Sequence, residues 1–308
     1  MTREALLPLA VLAALAVAPL AGFGGSYELT LLARAMILGM AAVSLSFLVG
    51  GAGLVSLGHA ASLGVGAYAV AILDAHGVTE ALIVLPVAVA AAAGFSLLTG
   101  AVAIRTSGVH FIMITLAFGQ MAFFTTSSLA AYGGDDGYTL YGRTEVAGTR
   151  LLENRLAFHY ICLGLLALTW GLCAMLLASR FGRVLRAARE NAQRVEAVGL
   201  APYPFRLVGY AIAGALGGLA GVLLANATEF VSPATLSWQR SGELLFMVIL
   251  GGVGRLWGAI LGALAFVLLE TWLAEQMQHW KLVFGPLLVL AVLFLKGGLS
   301  GLVARRHG

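Results

Sequence analysis

"SRFGRVLRAARENAQRVEAVGL" (Ser179–Leu200) carries six charged residues in its first sixteen, inside a chain charged at only 10% of its 308 positions. On either side the chain is apolar, with 60% hydrophobic residues and a mean hydropathy of +0.96. Soluble globular proteins carry about 25% charged residues, so this chain cannot cover a water-facing surface. The contrast between the basic stretch and its surroundings decides the class. The chain is an all-α polytopic membrane protein, and the stretch is a water-exposed interruption between spans. The net charge of +4 is too small to imply nucleic-acid binding, and the arginines follow topology instead.

A bilayer core takes about 20 apolar residues per helix. On that measure about ten spans are expected, near 5–22, 29–50, 55–74, 81–104, 108–131, 157–178, 208–228, 241–252, 256–274 and 282–302. The eighth is short enough to be re-entrant, and the third is polar for a span. Residues 1–22, with Arg3 and an apolar run, have the outline of a signal peptide, but no clear small-residue cleavage site follows, which favours a retained span. Forty glycines fit closely approaching helices and broken helices. Cys162 and Cys173 are eleven residues apart on one span, about 16 Å at 1.5 Å per residue. They are expected as separate buried thiols rather than a disulfide or metal pair.

Arginine sets the expected orientation. Arg180, Arg183, Arg186, Arg189, Arg194 and Arg206 face only Glu190 and Glu196 across residues 179–207, which places that loop in the cytoplasm. Lys296, Arg305 and Arg306 place the tail there too, and ten spans satisfy both placements. Residues 132–156, polar and of mixed sign, then fall outside. Within the basic stretch, Ser179 reads as an N-cap and Gly199 as a stop, with Pro202 and Pro204 beyond it. Leu185, Ala188, Ala192, Val195 and Val198 recur at helical spacing. Such a helix either lies on anionic lipid headgroups or docks in a groove of a cytoplasmic partner, and periodicity does not choose between the two.

Polar groups in the spans are candidates for a solute path. Ser56, His59 and Ser62 are spaced to share one helix face, and they either bond neighbouring helices or line a passage. Thr115 and the mid-span Gln120 belong to the same search, as do His110, Trp238 and Glu243. For Glu243, near the start of the short eighth span, helix capping is the simpler reading. Asp74 and Glu270 sit near outer span ends, where water can reach them. His59, His76, His110, His159, His279 and His307 show no metal-ligand spacing. "GGVGRLWGAILGA" (251–263) echoes the Gly-Gly-x-Gly opening of the segment at residue 50, as two repeated halves would.

Several segments together resemble one family. The stretch at 179–200 is similar to the cytoplasmic loop of LivM-like permease subunits of bacterial branched-chain amino acid ABC importers. "GGAGLVSLGHAASLGVGAYAVA" (50–71) resembles that family's Gly-rich segment, and "GVHFIMITLAFGQ" (108–120) its Gly-x-Tyr-Phe-x-Met-x-Thr-Leu-Ala-Phe pattern. "SPATLSWQRSGELLFMVILGGVGRLWGAILGA" (232–263) is the best match of all, and the similarity runs from about residue 30 to 295. One departure is His110, an imidazole where the family commonly has a tyrosine.

The resemblance implies one transmembrane permease domain over 1–308, with broken or short helices, a periplasmic loop at 132–156 and a cytoplasmic coupling loop at 179–207. It implies that Arg183, Arg186, Arg189, Glu190, Ala192, Glu196, Ala197 and Gly199 meet an ATPase. The chain has no Gly-x-x-x-x-Gly-Lys-Ser/Thr loop, so ATP belongs to partner subunits and no cofactor or catalytic site is expected here. The implied partners are a homologous LivH-like permease, two LivG/LivF-like ATP-binding subunits and a periplasmic solute-binding protein. The implied setting is the bacterial inner membrane, with both termini cytoplasmic. The solute stays open among branched-chain amino acids, other amino acids, urea and small carboxylates. The rival reading is a proton- or ion-coupled secondary transporter, which needs an ionisable relay near the midplane. His59 is the sole candidate for that relay.

Overall fold

Apolar stretches in hydrocarbon must satisfy their own amides, and the helix does so within each segment. The structure, a computed structural model, describes residues 3–20, 24–294 and 297–305. Its helices are α1 (Arg3–Val17), α2 (Ser26–Phe47), α3 (His59–Ala75), α4 (Ala81–Ala103), α5 (Val109–Ser127) and α6 (Arg155–Ala178). Two short helices follow, α7 (Arg180–Glu190) and α8 (Ala192–Ala197). The chain continues through α9 (Pro202–Thr228), α10 (Trp238–Gly251), α11 (Leu256–Gln276), α12 (Trp280–Phe294) and α13 (Gly298–Arg305).

Every expected span falls on a helix, but not every helix is span-length. Among the described residues six are long and apolar enough to cross a bilayer: α2 with the π turn that extends it to Ala52, α4, α5, α6, α9 and α11. α1, α3, α10 and α12 are shorter than the roughly 20 residues required. α3 starts at His59 instead of 55, because the chain leaves the π turn through Gly53, whose φ of 70° ends helical bonding. The last expected span is split, with α12 ending at Phe294 and α13 starting at Gly298. Lys296, Arg306 and His307 lie outside the described residues. α1 packs on α6, where the His159 ring is 3.1 Å from the Leu15 carbonyl and Leu15 is buried. Cys162 and Cys173 are separate, buried thiols.

α2 is the central post. It is buried from Ala35 through Leu48 and packs against α6, α9, α10 and α11. α4, α5 and α6 bury under a third of their spanning windows and leave apolar faces outward. α3 and α9 meet backbone to backbone. A β-carbon on Gly66 would overlap the Gly218 carbonyl, and one on Gly221 would overlap the Leu63 carbonyl. Such approaches let dispersion and weak Cα–H contacts hold helices together where lipid supplies no hydrophobic drive.

The polar segments lie at opposite ends of α9, whose 27 residues span about 40 Å at 1.5 Å per residue. α7 and α8 precede it. At its far end β2 (Phe230–Val231) pairs antiparallel with β1 (Tyr138–Thr139), and isolated bridges join Glu80 to Glu145 and Val146 to Thr149, small departures from an all-α architecture. Asp74 does not simply face water there. It accepts hydrogen bonds from the Tyr138 hydroxyl and the Tyr141 amide, both 3.2 Å. Burial, with the Asp74 carboxylate alongside, pushes the Tyr138 hydroxyl up to about 12. Asn226 accepts from Thr144 N at 2.7 Å, and Arg143 bridges Glu229 and the Leu152 carbonyl. Glu270 likewise pairs with Arg34 at 3.1 Å.

Gly221→Val should destabilise the purified protein by about 3 kcal/mol or more through overpacking against the Leu63 carbonyl. Gly164→Ala, with open space around its Cβ position in the interior of α6, should leave the melting temperature unchanged or raise it slightly, since Ala is favoured over Gly in a helix by about 0.5–1 kcal/mol. Thermal unfolding in detergent or nanodiscs separates the two.

Candidate functional site

Two interruptions of helix meet inside the bundle. The first is the π turn Leu48–Ala52 with the irregular residues 53–58. The second runs from β2 through the 3-10 turn Pro233–Leu236 to Ser237, which caps α10 by accepting from Arg240 N. This return segment passes into the bundle, because Leu236 is buried against Gly64 of α3. The first turns of α3 and α10 then touch, with Ala60 N donating to Ser241 Oγ at 3.0 Å. Irregular backbone at such depth persists only when protein encloses it or when it faces a water-filled cavity.

Ser56, His59 and Ser62 are all buried at this junction, but they do not share a helix face. Ser56 precedes α3, and its hydroxyl accepts from Gly58 N at 3.2 Å. His59 Nε2 lies 2.8 Å from Ser44 Oγ. The Ser44 hydroxyl also lies 2.8 Å from the Ala41 carbonyl, so it links the imidazole to the backbone of α2. Ser62 and Ser96 share a hydrogen bond of 2.9 Å between α3 and α4. Of the two readings of these residues, the bonds between neighbouring helices are the ones on view.

The remaining path candidates scatter. Thr115 is buried, bonds the Ile112 carbonyl at 2.9 Å and sets its own carbonyl against Gly58. Gln120 is half-buried rather than interior, and His110 is exposed on the first turn of α5. Trp238 is exposed, and Glu243 pairs with Arg240 at 2.7 Å instead of capping α10, a place Ser237 holds. A groove of about 310 Å³ does open beside the junction, between α3, α4, α5 and the 3-10 turn. Phe95, Phe118, Met121 and Leu236 make it apolar, and Thr125 and Thr126 add hydroxyls. None of the expected path residues lines it.

The basic stretch folds as two helices instead of one. Ser179 caps α7 by accepting from Gly182 N, and Gly199 adopts φ +86°. Between them Asn191 leaves the helical region (φ −157°) and caps α8 by accepting from Arg194 N. Leu185 and Ala188 of the apolar stripe are buried against the permease itself, while Val195, although buried, lines the outward groove and Val198 is exposed. The outward side forms a groove of about 370 Å³, lined among others by Arg183, Ala187, Glu190, Arg194, Val198 and Leu200. Arg186, Glu196, Ala197 and Gly199 are exposed around it, and Ala192 is half-buried. Arg189 turns away from the groove and donates to the Gly50 carbonyl at 2.6 Å.

Sequence reasoning missed Ser44, Ser96 and Ser241, the partners that complete the junction. None of the three carries a local signal of its partner, and only the fold reveals what faces it. Among the described residues no three His, Cys, Asp or Glu side chains gather as a metal site would require.

The profile of the family described as branched-chain amino acid transport system, permease component, matches residues 27–293. The chain is 30% identical to the high-affinity branched-chain amino acid transport system permease protein LivM of Salmonella typhimurium over 289 residues, covering 86% of this chain and 67% of that one. LivM of Escherichia coli matches with the same identity and coverage. The autoinducer 2 import system permease protein LsrC of Klebsiella pneumoniae is 30% identical over 159 residues, 47% of this chain and 46% of that one. No solved structure matches significantly.

The Ser44–His59 bond predicts a coupling. His59→Ala and Ser44→Ala should each lower stability, and a double-mutant cycle should return an interaction of about 0.5–3 kcal/mol. Transport per folded molecule should fall less than stability does. Additive losses would mean that the bond contributes nothing.

Proposed function

This chain belongs to the permease-component family of branched-chain amino acid transport systems, and from that premise we propose that it is the LivM-like half of the membrane pore in an ATP-driven importer. Its solute is a branched-chain or related amino acid. A homologous LivH-like permease completes the pore, two LivG/LivF-like subunits hydrolyse ATP, and a periplasmic binding protein delivers the solute to the end that carries residues 132–156. In this reading the chain is a multi-pass protein of the bacterial inner membrane, with both termini and the 179–207 loop in the cytoplasm.

The observation that carries the coupling role is the two-sided character of α7 and α8. Leu185 and Ala188 anchor α7 to the permease, while the charged groove, with Val195 and Val198 in its lining, remains open. A headgroup-binding connector needs cations facing outward, but it does not need Glu190 in a concave, partly apolar groove. A docked protein element does, because apolar contacts supply affinity and rim charges fix register. ATP-driven closure of the ATPases then moves α7 and α8 and switches the pore between outward and inward access.

Replacing Glu190 and Glu196 together with Lys should lower solute uptake and solute-stimulated ATP hydrolysis in parallel, by about 5–150-fold if the lost coupling is typical. The permease should still insert and purify. Unchanged stimulation in a fully assembled complex would remove the coupling role.

A further inference from the structure

We infer that Arg189 is a positioning residue that ties the basic helix pair to the break in α2, and that it is not a docking contact. The inference rests on the coupling role proposed above and adds the route by which a push on α7 enters the membrane.

Arg189 is the penultimate residue of α7. Its Nη1 donates to the carbonyl of Gly50, within the π turn, at 2.6 Å. Its side-chain stem crosses Gly53, where an added β-carbon would sit 2.7 Å from Cγ and 3.3 Å from Cδ. A cationic donor on a carbonyl is among the stronger hydrogen bonds available to a protein. Gly50 also packs against the α10–α11 turn, its Cβ position lying 3.0 Å from the Gly254 α-carbon. One residue earlier, the Ala188 carbonyl accepts from Arg206 Nη2 of α9 at 2.7 Å. Two adjacent residues at the end of α7 are therefore bonded to α2 and to α9.

The attachment point is the part of α2 best able to yield. A π turn carries poorer hydrogen-bond geometry than the α-helix around it and often marks functional sites. Residues 53–58 beyond it have no regular structure and lead directly to Ser56 and His59. Gly53, at φ +70°, lets the chain turn there. Displacement of α7 thus reaches the buried junction through one hydrogen bond and nine residues, 50–58, of nonstandard backbone. The α-helical body of α2 above it, buried on all sides, stays where it is. The groove side of α7 points elsewhere, so docking and transmission use different faces of one helix.

The test uses the full complex in proteoliposomes. Arg189→Met keeps the stem over Gly53 and removes the donor and the charge. It should leave co-purification of the ATP-binding subunits unchanged and lower the melting temperature by only a few degrees, while uptake and solute stimulation of ATP hydrolysis per folded complex drop about tenfold. Arg189→Lys, which restores a cationic donor, should recover most of both. A thiol at Val55→Cys should change its labelling rate with nucleotide in the parent and in Arg189→Lys, but not in Arg189→Met. Loss of ATPase binding in Arg189→Met would make Arg189 a docking contact and overturn the inference with the coupling role intact. Parental uptake in Arg189→Met would overturn it as well. Normal docking and stimulation in the double Glu190/Glu196→Lys variant would instead remove the coupling role, and the inference with it.

Discussion

An amide without a partner cannot rest in hydrocarbon, and that constraint governs everything distinctive about this chain. Helices satisfy it segment by segment, so the interesting places are where helix stops at depth. Two such places stand out among the described residues, at 48–58 and at the return segment before α10. Both are enclosed by other helices, and α10 at the end of the second supplies a partner to the start of α3 after the first, Ser241 accepting from Ala60 N. Enclosure requires close approach, and the glycines of α3 and α9 provide it. Remove that approach and the irregular backbone would face lipid.

The same enclosure explains the division of polar groups. His59, Ser62 and the Ala60 amide are bonded to neighbouring helices through Ser44, Ser96 and Ser241, whereas Ser56 bonds its own turn and the Ser46 and Thr169 hydroxyls are buried without a partner among the described residues. A network with its members bonded specifies how helices seat against one another. The groove beside it is mostly apolar with two threonines, a lining suited to a small solute with an aliphatic side chain. The apolar faces of α4, α5 and α6 that look outward are available for lipid or for a second permease.

Much of the architecture was legible before any coordinates. Composition alone gave the class, and the basic stretch gave the two caps at Ser179 and Gly199, because capping is local chemistry. The break at Asn191 was not legible, since Asn serves equally as a mid-helix residue and as a cap, and only the fold shows its side chain accepting from Arg194 N. Period-three spacing placed Ser56 on a helix that had not yet begun. The left-handed Gly53 and the π turn before it were invisible to spacing. Gln120 looked interior because it is mid-span, yet α5 is largely peripheral, and depth along a helix says nothing about which face is covered. The carboxylates at span ends looked solvated for the same reason, while Asp74 and Glu270 have protein partners.

The central claim is that the basic helices and the break in α2 move as one unit. Hydrogen–deuterium exchange on the assembled complex in nanodiscs, with and without a nonhydrolysable ATP analogue, addresses it directly. Joint motion requires that amide protection change together in 48–58 and in 180–197, with the middle of α6 around Cys162–Cys173 unaffected. A nucleotide response confined to 180–197, with 48–58 unchanged, would contradict it.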